Sequence, residues 1–137
     1  MARDLPQPDI CVTGQFRLKG ALAAGTAIAA ATNYQEVVNV RGAARVRIYA
    51  KTATAGGTLK ASAIESVSTD DTNPLLPSMA INPAKVTAIT DGAPADVPLT
   101  AGTTGHIDFT PNGENWLLVT ITGGGVGTIS FVECMRL

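Results

Sequence analysis

The chain has 137 residues and a formal net charge of −1, with only 15% of residues charged; this leaves no electrostatic footprint for nucleic acid or for an anionic membrane. The length suits one domain that buries roughly two-thirds of its unfolded surface. Hydrophobic residues make up 45%, but alanine inflates that figure and aromatics are only 4%, so the expected core is Ala, Val, Ile and Leu, with few large anchors for a ligand.

Residues 1–15 open with Leu5-Pro6-Gln7-Pro8-Asp9. Spaced prolines disfavour helix and set an extended path, which reads as an N-terminal arm ahead of a domain over 16–137. Phe16-Arg17-Leu18-Lys19 alternates apolar and basic residues, as a short strand with one buried face does. The alanine-rich run 21–31 follows Arg17 and Lys19 and superficially resembles a leader peptide. It starts after two prolines and two aspartates, and no run reaches the roughly 18 apolar residues of a membrane span. A soluble, unprocessed chain is expected. The secondary structure of that run stays open among loop, strand and short helix, because alanine favours helix while Gly25 and Thr26 oppose it.

From Glu36 the period sharpens. Glu36–Val40 reads as a strand, and in Arg45–Lys51 the residues Val46, Ile48 and Ala50 share one face while Arg45, Arg47, Tyr49 and Lys51 share the other. Thr54-Ala55-Gly56-Gly57 then predicts a hairpin into Thr58–Ile64. Residues 68–83 contain three prolines and form a long loop, unusually apolar for a solvated segment through Leu75, Leu76, Met79 and Ile81. Lys85–Ile89, Gly105–Thr110 and a closing pair, Asn115–Thr122 and Thr128–Cys134 joined through Gly123–Gly127, complete about eight strands. The fold class is all-β: an antiparallel β-sandwich, jelly-roll-like, with an extended N-terminal arm.

Chemistry-bearing motifs are sparse. A strand rather than a helix follows Gly123–Gly127, and no Lys-Ser/Thr closes it, so it is a turn and not a phosphate loop. His106 and Asp108 share a strand face, but no serine lies in a nucleophile elbow. One histidine and two distant cysteines, Cys11 and Cys134, make no zinc set. Asp70, Asp71, Asn73, Asp91 and Asp96 are explained by turns rather than by calcium. Two buried or reduced thiols are expected, although a Cys11–Cys134 disulfide stays open. Tyr34, Tyr49 and Trp116 could stack a sugar only if they shared a surface. In the last strand Phe131 and Val132 point to opposite faces; strict alternation puts Phe131 inside and Val132 with Cys134 outside, as an interface would need. No catalytic, cofactor-binding or metal-binding residues are assigned, and no nucleic acid, membrane or small-molecule substrate is expected.

Gly42-x-x-Arg45-Val46-Arg47-Ile48-Tyr49-Ala50, the Gly-Gly turn after it, and the closing Trp116–Thr122 and Gly127–Glu133 resemble the small β-sandwich virion proteins of tailed bacteriophages, with capsid decoration (cement) proteins the closest type. The resemblance spans about residues 36–135 and is one of composition and strand rhythm. It implies a jelly-roll-like domain, commonly a homotrimer, seated on the capsid surface over junctions of the major capsid protein, where it stabilises the head. It carries over no catalytic residues. On this reading the contact residues are Leu5, Pro6 and Pro8 of the arm, Leu75, Leu76, Met79 and Ile81 of the apolar loop, and Arg45 and Arg47 of the basic strand face. The alternatives are a tail, baseplate or fibre component, and a carbohydrate-binding module.

Overall fold

The computed structural model describes residues 14–64, 88–89, 96–111 and 116–137. Leu5, Pro6, Pro8, Leu75, Leu76, Met79, Ile81 and Cys11 lie outside the described residues. The strands are β1 (Gly14–Arg17), β2 (Ala27–Ile28), β3 (Asn33–Asn39), β4 (Val46–Ala53), β5 (Gly57–Ile64), β6 (Ala88–Ile89), β7 (Val97–Leu99), β8 (Gly105–Phe109), β9 (Trp116–Gly123) and β10 (Gly127–Arg136). Among the described residues there is no helix. β1 starts at Gly14, two residues inside the segment read as the arm.

Two antiparallel sheets pack face to face. The first runs β1-β10-β4-β8, and β2 pairs with the other end of β10 on the β1 side; the second runs β3-β9-β5-β6, with β7 beside β5 on the β6 side. β1 with β2, and β6 with β7, therefore each fill one strand position, which reduces ten segments to the expected eight. In chain order these positions change sheet at every step except from β5 to β6 and β7. That is jelly-roll connectivity.

β4 obeys the expected alternation: Val46, Ile48, Ala50 and Thr52 are buried, while Arg47, Tyr49 and Lys51 face out. It meets Leu59 and Ala61 of β5, Leu117, Val119 and Ile121 of β9, and Ile107 and Phe109 of β8 in one interior cluster. Apart from Phe109 and Cys134 the buried cluster is aliphatic, in line with the composition.

Two expectations are corrected. Neither glycine-rich connector makes a hairpin. β4 pairs with β10 and β8 while β5 pairs with β9, and β9 and β10 likewise belong to different sheets; residues 54–56 and 124–126 are arches across the sandwich. The crossing is tight. A Cβ on Gly56 would run into the carbonyl of Leu99, and one on Gly127 into that of Ala53. Thr54 takes φ 74°, an outlying conformation for a β-branched residue. Second, β10 does not alternate strictly. Ile129 opposes Thr52 and Phe131 opposes Lys51, so Ser130 is a one-residue bulge. Beyond it the phase inverts: Val132 and Cys134 are fully buried in the interior and Phe131 faces out.

Glu36 holds the chain between β1 and β2. It points to the interior side of edge strand β3, and its Oε1 accepts hydrogen bonds from the backbone N–H of Gly20 at 3.1 Å and of Leu22 at 2.9 Å. Leu22 is thereby seated in the core with no exposed surface. Inward charge on an edge strand also discourages strand addition at that point.

The Cys134 side chain is fully buried in the interior. In a Cys11→Ser background it should resist a thiol reagent in the folded protein and react fully in denaturant; labelling at the free-thiol rate in the native state would contradict the bulged register. Glu36→Ala should lower stability by about 1–3 kcal/mol, because two N–H groups lose their acceptor, and Glu36→Gln by less. Urea unfolding midpoints measure both.

Candidate interaction surface

The outward side of the first sheet is a paired ladder. Strand register sets Gln15, Met135, Arg47 and Asp108 in one row and Arg17, Glu133, Tyr49 and His106 in the next. Arg47 donates from Nε to Asp108 Oδ1 at 2.6 Å and from Nη2 to Oδ2 at 3.1 Å. Arg17 Nε lies 3.4 Å from Glu133 Oε1. Each arginine also serves a ring: Arg17 sits 4.3 Å from the Phe131 centroid and Arg47 5.9 Å from that of Tyr49. His106 tilts against Tyr49 at 6.0 Å. The bidentate bond from Arg47 holds the Asp108 carboxyl below its usual range, outweighing the opposing effect of burial, and raises the Arg47 guanidinium in turn.

This changes the standing of the basic stripe. Arg47 is already committed to Asp108, whereas Arg45 is exposed at the head of β4. Arg45, Asp108 and Leu137 border a shallow cleft of about 280 Å³. His106 and Asp108 share a face as expected, but the carboxylate is directed to Arg47 and the imidazole to Tyr49. Among the described residues no three of His, Cys, Asp or Glu converge. Asp70, Asp71, Asn73 and Asp91 lie outside the described residues.

The aromatics do not share a surface. The Tyr34 hydroxyl accepts a hydrogen bond from Ala29 N at 3.0 Å at the sandwich rim, and Tyr49 belongs to the ladder. Trp116 is 2% exposed. By alternation with the interior residues Leu117, Val119 and Ile121, it lies with Leu118 and Thr120 on the outer side of the second sheet, where all three are nevertheless buried. Beside them Gln35 donates to the Thr120 hydroxyl at 3.2 Å and Thr122 to Asn33 Oδ1 at 2.7 Å.

One end of the sandwich has a different character. Residues 29–32, 54–56, 100–104 and 124–126 are all Ala, Thr, Gly or Val, with no charge. Backbone bonds tie these four loops to the strands and to one another: Ala31 N donates to Gly123 O at 2.9 Å, Gly123 N to Thr32 O at 3.0 Å, Gly124 N to Gly56 O at 2.9 Å and Gly102 N to Thr52 O at 2.8 Å. Most of this surface is exposed, and Val126 stands out at 81%. The sequence marked only the two glycine-rich connectors, 54–57 and 123–127, as turns. Only the topology brings the four loops together.

No protein-family model matches the chain, and no curated protein is similar to it.

The Arg47–Asp108 pair carries a pH dependence of known sign. A carboxyl depressed in the folded state adds stability above its unfolded pKa of about 3.9 and loses that increment as pH falls through the folded value. Both side chains are more than a third exposed, so the increment is small and weakened by salt. Denaturation midpoints measured from pH 7 to pH 2 should show a step below about pH 4 that is smaller in Asp108→Asn.

Proposed function

We propose that the protein is a structural component of a bacteriophage virion, binding the outside of the capsid as a decoration protein that reinforces the head. The observation that carries this reading is the uncharged end formed by the four loops. Ala and Gly have no side-chain rotamer freedom to lose on binding, and Thr and Val have little. No charge there must be stripped of water. The loops are held in place before contact, which lowers the cost of association. Val126 supplies an apolar anchor at the tip.

A surface of this kind favours broad, shallow contact over capture of a small molecule. Individually modest contacts become strong when repeated by symmetry, as on a capsid lattice engaged by a homotrimer of this chain. The separation of Tyr34, Tyr49 and Trp116 weakens a glycan-binding reading, since no pair of rings forms a platform. The arm residues Leu5, Pro6 and Pro8 and the loop residues Leu75, Leu76, Met79 and Ile81 belong to the same proposal as further contacts.

Co-sedimentation with expanded, undecorated phage heads tests the proposal. The wild-type chain should saturate the heads, and Val126→Asp and Ala55→Asp should each weaken binding about tenfold or more, a loss of at least ~1.4 kcal/mol, with unchanged unfolding midpoints. Failure of the wild-type chain to bind such heads, or binding indifferent to both substitutions, would overturn it.

A further inference from the structure

The edge strands β1 and β3 belong to different sheets, and the cleft between them holds about 440 Å³. Phe16, Leu18 and Val38 contribute apolar surface to it; Lys19 and Arg136 contribute positive charge. Arg136, at the end of β10, lays its guanidinium over the Phe16 ring at 4.5 Å and donates from Nη1 to Asn39 O at 3.1 Å. Its Nε is buried and has no acceptor. A buried donor left unpaired costs free energy, more so on a charged group, and calls for an explanation.

Among the described residues no carboxylate of the cleft lining forms an ion pair with Arg136. Glu36 is the acid in the lining, and its Oε1 is spent on Gly20 N and Leu22 N. Lys19 is exposed and has no ion pair with any described residue. The walls add backbone groups. Among the described residues β1 pairs only with β10 and β2 is its continuation there, while β3 pairs only with β9, so the outer N–H and C=O groups of both edges are open to an extended chain.

We propose that this cleft receives an extended peptide segment of a partner protein in which a carboxylate neighbours an apolar side chain. The carboxylate pairs with Lys19 and with the Arg136 guanidinium. The apolar side chain covers Phe16 and Leu18. The peptide backbone adds to the edge of β1, since the inward Glu36 disfavours addition at β3, and charge complementarity selects acidic segments over neutral or basic ones. This site is separate from the uncharged loop end and does not depend on the capsid reading.

The test uses the full chain and three labelled peptides, (Glu-Val)4, (Gln-Val)4 and (Lys-Val)4, in fluorescence anisotropy titrations at low salt. The glutamate peptide should bind about tenfold or more tightly than the glutamine peptide, and the lysine peptide should not bind. Lys19→Glu and Arg136→Gln should each weaken the glutamate peptide by a similar factor. Lys19→Glu should leave the unfolding midpoint unchanged, which keeps the test valid if Arg136→Gln folds poorly. Equal affinity for the three peptides, or unaltered binding by Lys19→Glu, would overturn the proposal. So would oligo-dT competing as well as the glutamate peptide, which would assign the cleft to polyanions. A wild-type dimer in light scattering that Lys19→Glu reduces to single chains would overturn it too, in favour of a second copy as the occupant.

Discussion

The single-residue bulge at Ser130 is the constraint on which the rest of the sandwich depends. β10 is the ten-residue strand between β4 and the β1–β2 edge, and its first half must direct Ile129 inward. Continued alternation would then carry Phe131 and Glu133 into the interior and turn Val132 and Cys134 out. Burying Glu133 without a partner would cost far more than one lost ladder bond. The bulge inverts the phase at the cost of one unpaired residue. Ile129, Val132 and Cys134 then all reach the core, while Phe131 and Glu133 meet Arg17 on the outside.

The surface chemistry follows from that register. With Phe131, Glu133 and Met135 facing out, the exposed side of the first sheet becomes a ladder whose arginines are matched by carboxylates and rings within the same sheet. Such a face is largely self-satisfied, and it offers little unspent charge to a partner. The same strand ends at Arg136, whose inward side is what leaves an unanswered donor in the β1–β3 cleft. At the other end of the molecule the arches bring four charge-free loops together. Three surfaces thus differ in kind: a neutralised ladder, a cationic edge cleft and an uncharged tip.

Much of the architecture was legible in the sequence. The alternation of Val46, Ile48 and Ala50 against Arg47, Tyr49 and Lys51 placed β4 correctly, and turn spacing led to eight strand positions and a jelly-roll-like sandwich. The connectors misled because a glycine-rich turn between two alternating runs looks the same whether it joins neighbours in one sheet or arches between two; the difference lies in long-range pairing, β5 with β9 and β10 with β4. The bulge was hidden because Ser130 is an ordinary strand residue, and only the identity of what would be buried, Glu133, hinted at a phase change. Of the candidate contact residues, Arg45 stands exposed as the pattern implied, while Arg47 is engaged by an acid two residues from His106 that sequence spacing had grouped with the histidine. The uncharged loop end and the Arg136 cleft could not be read locally, since each is assembled from segments far apart in the chain.

The most direct test of the account is a hydrogen-exchange footprint of the chain free and bound to phage heads. The account predicts slowed exchange at 29–32, 54–56, 100–104 and 124–126, with segments 1–15 and 68–83 as further protected contacts and little change across β4 and β8. Bound protein whose loops exchange as fast as in the free chain, with protection instead over Arg47, Tyr49 and His106, would contradict it.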